Sequence, residues 1–251
     1  MLKILAMSLQ FLTRFYVYRG DFDERAYGRA PVFFPLVGLF LGVAWTVLYL
    51  ALTHLFPQPV TAAFLVLGMA TLSGGLHLDG FMDTMDGIFS GRSREKMLEI
   101  MRDSRVGAFG VLGLVCLLLL KFALLLSLPR EALLRLLPIV PAISRWGMVY
   151  AIARFPYARA QGLGLFQVQY TGSRELAAAS FQVLLIALTG GWLGLSLLFA
   201  SLVLVHGLAR YFTSRLGGLT GDTYGAINEI TEVFLLLAAY PLSKCLPLTL
   251  L

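Results

Sequence analysis

Residues 106–128 read VGAFGVLGLVCLLLLKFALLLSL, with Lys121 the one charge in the run. A stretch this apolar meets the roughly 20 residues that a helix needs to cross a bilayer. Comparable runs recur at about 32–54, 59–77, 132–153, 191–210 and 226–246, with a shorter one at 175–190 that meets the next at Gly190-Gly191. The pattern predicts an all-α integral membrane protein, a polytopic bundle of about seven transmembrane helices that forms one domain over 1–251. Only 14% of the residues are charged, against 58% hydrophobic, and the mean hydropathy is +0.80. A soluble domain of this length would need far more charged surface.

The N-terminal segment, 1–30, opens with an apolar stretch that Gln10, Thr13 and Arg14 interrupt, and no small-residue cleavage pattern follows it. An uncleaved amphipathic helix lying at the membrane interface is expected there, not a signal peptide. Cys116 and Cys245 both sit in apolar runs and read as small hydrophobes, not as a disulfide or metal pair.

Basic residues alternate between the two sides. With the N-terminus in the cytoplasm, Lys3, Arg14, Arg19, Arg25 and Arg29 fall inside, as do Arg92, Arg94, Lys96, Arg102 and Arg105. Arg154, Arg159, Arg174, Arg210 and Arg215 join them, against Arg130 and Lys244 outside. This satisfies the positive-inside rule. It places the chain in the cell inner membrane with 78–105 as a cytoplasmic active-site loop. The net charge of +6 then follows from orientation, and nucleic acid is not expected as a partner.

Directly after the second apolar run comes HLDGFMDTMDGIFSGR, residues 77–92. Asp79, Asp83 and Asp86 stand at i, i+4 and i+7, so on a helix their carboxylates share one face. No lysine or arginine lies between 77 and 91 to balance them. Such a face asks for an external cation, and carboxylate oxygens suit a hard ion, magnesium or manganese, better than zinc. Magnesium held by few carboxylates usually also meets substrate phosphates. His77, off this stripe, is expected as a polar residue at the interface, within reach of substrate.

Basic residues begin where the acids stop. In RDSRVGAFG, residues 102–110, Arg102, Asp103, Ser104 and Arg105 occur together. With Arg92 they suit phosphate binding, since guanidinium groups clamp phosphate in bidentate fashion, and Asp103 could serve as a further metal ligand or a base. Gly107, Gly110 and Gly113 stand next at i, i+3, i+6, a smooth face for close helix packing or, at Gly107, for a phosphate against backbone.

A second polar set lies in GLTGDTYGAINEITE, residues 218–232. Asp222, Gly225, Glu229 and Glu232 share one helical stripe, with Asn228 beside them. Acids this deep in an apolar run are functional candidates. Because no arginine adjoins them in sequence, the expectation is that Glu229 and Glu232 orient or deprotonate a substrate hydroxyl. Arg145, inside the fourth run, is expected to find an inward partner or a phosphate. Lys121 is expected to snorkel to the outer face.

The segments GGLHLDGFMDTMDG, REKMLEIMRDSRVGAFG and LTGDTYGAINEITE resemble the cobalamin synthases, the adenosylcobinamide-GDP ribazoletransferases. FLTRFYV and FPLVGLFLG near the N-terminus are similar to that family as well. The resemblance implies magnesium-dependent joining of a GDP-activated corrinoid to α-ribazole or its 5′-phosphate, with release of GMP, as the last step of nucleotide-loop assembly. It leaves homo-oligomerisation open. A distant echo of CDP-alcohol phosphotransferases in Asp83, Asp86 and Gly87 is imperfect, because Ser90-Gly91-Arg92 lacks their Ala-Arg at the usual offset. A transporter using the same acids would need polar groups leading to the outer face, whereas these collect toward one side.

Overall fold

The computed structural model describes residues 1–245, with side chains through Leu242, so the expectations for Lys244 and Cys245 fall on side chains outside the described residues. The described chain is helical: α1 (Leu2–Leu12), α2 (Glu24–Gly28), α3 (Phe34–Thr53, entered by a 3-10 turn), α4 (Gln58–Leu72), α5 (Leu76–Phe89) and α6 (Arg94–Ile100). Then come α7 (Ala108–Ser127), α8 (Arg130–Arg154), α9 (Leu163–Tyr170), α10 (Ser173–Leu188), α11 (Gly191–Leu216) and α12 (Gly221–Cys245).

Among the described residues five helices are long and apolar enough to cross a membrane: α3 with its 3-10 entry, α7, α8, α11 and α12. A bent pair, α4 and α5, makes up to six. This is a polytopic membrane bundle, with fewer full-length spans than the apolar runs suggest. The run at 175–190 forms the 16-residue α10, and a 16-residue helix spans only about 24 Å. The run at 59–77 stops at Leu72, because Gly74 and Gly75 both take left-handed φ (68° and 72°) and turn the chain by 89°. Only glycine enters that region without strain.

The bend redirects the chain into the bundle. Residues 78–105, expected as a loop, are mostly the two helices α5 and α6, and α5 packs against α7 and α12. The acids spaced among apolar residues along 77–89 reflect a helix buried on one face, not a solvated connection. Within the N-terminal segment the helix runs from Leu2 to Leu12. Phe11 stacks on Phe34 (centroids 5.8 Å apart) and so ties α1 to the start of α3.

At the centre is α8, apolar nearly all round and buried on almost every face. It carries Pro138 and Pro141. Pro141 has no N–H to donate to the Leu137 carbonyl one turn back, and α3 packs closest there. A Cβ on Gly42 would collide with the Leu137 oxygen and lie 2.7 Å from Pro138 Cα, and one on Gly38 would lie 2.7 Å from Ala142 Cα. Small residues let the two backbones touch, the usual way helices pack where lipid removes the hydrophobic drive.

Candidate functional site

The crossing of α5 and α12 builds the site. A Cβ on Gly80 would come within 2.9 Å of the Asp222 backbone, and one on Gly225 within 3.1 Å of His77. With glycine at both positions the helices approach backbone to backbone. Asp79 and Asp83 thus come beside Asp222, so that Asp83 lies in the field of Asp222, Asp79, Asp86 and Arg159. The i, i+4, i+7 stripe is therefore real, and it gains a fourth acid from a distant segment.

Asp222 begins α12 under a reciprocal cap in which Thr220 N–H donates to Thr223 Oγ1 (2.8 Å) and Thr223 N–H donates to Thr220 Oγ1 (3.2 Å). Its Oδ2 accepts from Arg159 Nη2 at 2.6 Å, and the same nitrogen reaches the Met101 carbonyl at 3.4 Å. Arg159 reads in the sequence as one more cytoplasmic basic residue; in the fold it is the cation of the acidic cleft. Two bonds hold its loop to the entry of α12: Leu219 N–H to the Pro156 carbonyl (2.7 Å) and Ala158 N–H to the Leu219 carbonyl (2.8 Å). The one advance signal was the stretch PYARAQGLG, an arginine between aromatic and glycine residues in an apolar chain.

Asp86 is occupied differently from its neighbours. Its two oxygens accept from Gly107 N–H (2.9 Å) and Gly110 N–H (2.8 Å), the free donors at the start of α7. The glycine face at 107, 110 and 113 does pack closely, lying on Asp86, Met82 and Met85 of α5. The backbone expected to receive a phosphate at Gly107 receives this carboxylate instead.

His77 is buried, not interfacial, and neither ring nitrogen has a hydrogen-bond partner within the protein. Arg92, Arg102, Ser104 and Arg105 are exposed around α6. Arg102 is near enough to act electrostatically on Tyr157 at the cleft. Asp103 accepts from Arg105 through both oxygens (3.0 and 2.6 Å), and that guanidinium pulls its carboxyl down to about 2. So weak a base is poorly matched to proton abstraction near neutral pH.

The inner acids have partners that the sequence spacing hid. Lys121 does not snorkel: it is 3% exposed, and its Nζ donates to Glu229 Oε2 at 2.6 Å and Glu232 Oε2 at 2.8 Å. Arg145 Nη1 donates to Glu232 Oε1 at 2.5 Å, so it finds the inward partner expected of it. Asn228 Nδ2 lies 3.4 Å from Glu229 Oε1, and Trp45 sits beneath the Arg145 guanidinium. Two acids and two bases from α7, α8 and α12 thus form a neutral group. This overturns the premise that the stripe has no cation beside it. The free volume there is about 10 Å³, space for a water molecule and not for a substrate.

Two larger cavities flank Asp79. One, of about 240 Å³, lies between α5, α9 and α12 and reaches His77, Arg159, Asp222 and three tyrosines. The other, about 570 Å³, is an open trough along Arg14, Gly74 and Met82. Among the described residues no three His, Cys, Asp or Glu side chains stand close enough together to hold one metal ion. The donor chemistry nevertheless fits magnesium, which often takes only one or two protein carboxylates and completes its shell with water and phosphate.

A family model described as cobalamin-5-phosphate synthase matches residues 4–240. The chain is 39% identical over 242 residues to an adenosylcobinamide-GDP ribazoletransferase of Acetivibrio thermocellus, covering 95% of this chain and 98% of that relative. Proteins of the same description from Desulfitobacterium hafniense and Desulforamulus reducens are 40% and 42% identical, covering 96% and 94% of this chain and 98% and 95% of their own lengths. No solved structure matches the chain.

Proposed function

The chain belongs to the cobalamin-5-phosphate synthase family, and from that premise we propose that it joins GDP-activated adenosylcobinamide to α-ribazole or its 5′-phosphate at the acidic cleft between α5 and α12. The observation that carries this reading is the family match, which extends from residue 4 to residue 240 and takes in both acid motifs. In the reaction a ribose hydroxyl oxygen bonds to the phosphorus that carries the cobinamide. The bond from that phosphorus to the oxygen bridging to GMP breaks, and GMP leaves with the electron pair. The hydroxyl proton passes to a carboxylate of the cleft.

Asp79 and Asp83 are the residues proposed to hold magnesium, since Asp86 is engaged by α7 and Asp222 by Arg159. Bound there with the pyrophosphate, the ion would offset the charge that develops on the departing oxygen. Arg102 and Arg105, with Arg92 further out, supply guanidinium groups to the phosphates at the rim. Arg105 would exchange Asp103 for that ligand, an exposed pair that costs little to open. Glu229, Glu232, Lys121 and Arg145 hold the bundle behind the cleft.

The reading places the chain in the cell inner membrane with the cleft toward the cytoplasm, as the distribution of arginines supports. One copy of the chain supplies every residue used. The test is turnover by the purified protein in nanodiscs. GMP release is expected with the GDP-corrinoid and α-ribazole together, and loss of release on removing magnesium. Release of GMP that ignores α-ribazole would refute the transferase reading.

A further inference from the structure

We propose that the 240 Å³ cavity beside Asp79 is the subsite for the ribazole co-substrate, and that neither the corrin nor the guanosine of the other substrate enters it. This rests on the reaction proposed above and goes beyond it by assigning a place to one substrate. Size excludes the macrocycle. The cavity is smaller than the roughly 300–1,000 Å³ of sites for drug-sized ligands, which leaves room for a nucleoside.

The lining selects among nucleosides. Several buried polar groups around this cavity have no hydrogen-bond partner within the protein: both His77 nitrogens, Arg159 Nε, Gln167 Nε2, and the Tyr27 and Tyr224 hydroxyls. His77, Gln167 and Tyr224 are each only 2% exposed. Buried polar groups are normally paired, and an unmet one is destabilising. That such groups converge on one space points to a polar ligand. The guanidinium and amide nitrogens are donors, and the phenols and imidazole can serve as either donor or acceptor. A benzimidazole edge offers only an acceptor nitrogen, and ribose hydroxyls adapt to either role. The Watson–Crick edge of guanine instead sets two donors beside one acceptor oxygen and would call on the carboxylates of this lining, of which Asp222 is already held by Arg159 and Asp79 is the proposed metal ligand.

Shape and charge agree. Tyr157 and Tyr224 lie nearly parallel at the wall (centroids 6.5 Å, 23°), flat surfaces for an aromatic base. Arg159, the cation in this lining, is held by Asp222 at 2.6 Å, which suits an uncharged nucleoside better than a phosphate. Asp79 is shared with the 570 Å³ trough on its other side, which has room for a larger substrate. The two substrates would then meet over Asp79, the ribose hydroxyl from one cavity and the pyrophosphate from the other.

The test combines binding and kinetics on two variants, Tyr27→Phe and Gln167→Leu, each checked for an unchanged elution profile in detergent. By equilibrium dialysis, wild-type protein in nanodiscs is expected to bind α-ribazole without any corrinoid, and GMP is expected not to displace it. Each variant should weaken α-ribazole binding and raise its KM by about 3- to 10-fold, the loss of one hydrogen bond. The KM of the GDP-corrinoid should stay within about 2-fold, because a merely loosened fold would move both. A rise confined to the GDP-corrinoid, displacement of α-ribazole by GMP, or no change in either KM would overturn the assignment. Wild-type GMP release tests the reaction separately, so failure of that reading is distinguishable from failure of this one.

Discussion

Replacing Lys121 by methionine separates the two readings of the inner acids. The side chain is 3% exposed and makes the 2.6 Å bond to Glu229 and the 2.8 Å bond to Glu232. Without it Glu232 keeps Arg145 and Ser144, whereas Glu229 keeps only the long contact from Asn228. The cost therefore falls on Glu229, a carboxylate left buried without a cation. Breaking a buried pair by removing one partner costs about 3–5 kcal/mol, whereas replacing both by apolar or neutral groups is often near neutral. Lys121→Met should thus lose about 3–5 kcal/mol, and Lys121→Met with Glu229→Gln should return to within about 1–2 kcal/mol of wild type. Glu229→Gln alone should be milder, because Lys121 retains Glu232. The assay is reversible unfolding of the purified protein in mixed micelles with increasing dodecyl sulfate, followed by circular dichroism. If Lys121→Met unfolds within about 1 kcal/mol of wild type, or the double variant is simply additive, the charges are not acting as a closed group.

Three further outcomes are expected. Asp83→Asn should keep or slightly raise stability, since it removes one of several like charges in mutual repulsion, while GMP release falls at least tenfold; near-normal turnover at ordinary magnesium would remove Asp83 from the site. Asp86→Ala should cost about 1–2 kcal/mol as a lost helix cap, with the magnesium dependence of the remaining activity unmoved; a shift in that dependence would make Asp86 a metal ligand instead. Single cysteines at Ser93 and Ser127 should label from opposite sides of sealed vesicles, and labelling of Ser93→Cys from outside would reverse the topology.

Periodicity carried much of this structure in advance. The apolar runs foretold a membrane bundle, the aspartate spacing foretold a shared helical face, and the glycines at 107, 110 and 113 foretold a close crossing. The count of spans was less legible. Hydropathy measures how apolar a run is, and the Gly74-Gly75 turn that ends α4 leaves no mark on that measure. The run at 175–190 is short already in the sequence, and its helix has the same 16 residues, too few to count as a full-length span.

The two acidic stripes show why site residues were harder to read than helices. Spacing along one helix states which side chains share a face and says nothing of what the next helix brings to it. Asp79 and Asp83 read as an uncompensated stripe; the fold adds Asp222 against them through the Gly80–Gly225 crossing and supplies Arg159 from a loop. Glu229 and Glu232 read the same way, yet Lys121 and Arg145, each isolated in its own apolar run, close upon them. An isolated basic residue deep in a span and an isolated acid deep in another are each too costly to leave in lipid alone. Pairing them across helices is the cheapest way to keep both, and here that was a better guide than snorkelling. The acids that stay only partly matched lie at the end of the bundle where cavities open on both sides of Asp79. The difference between a lock and a reaction site in this chain is thus whether the neighbouring helices bring cations in or leave space.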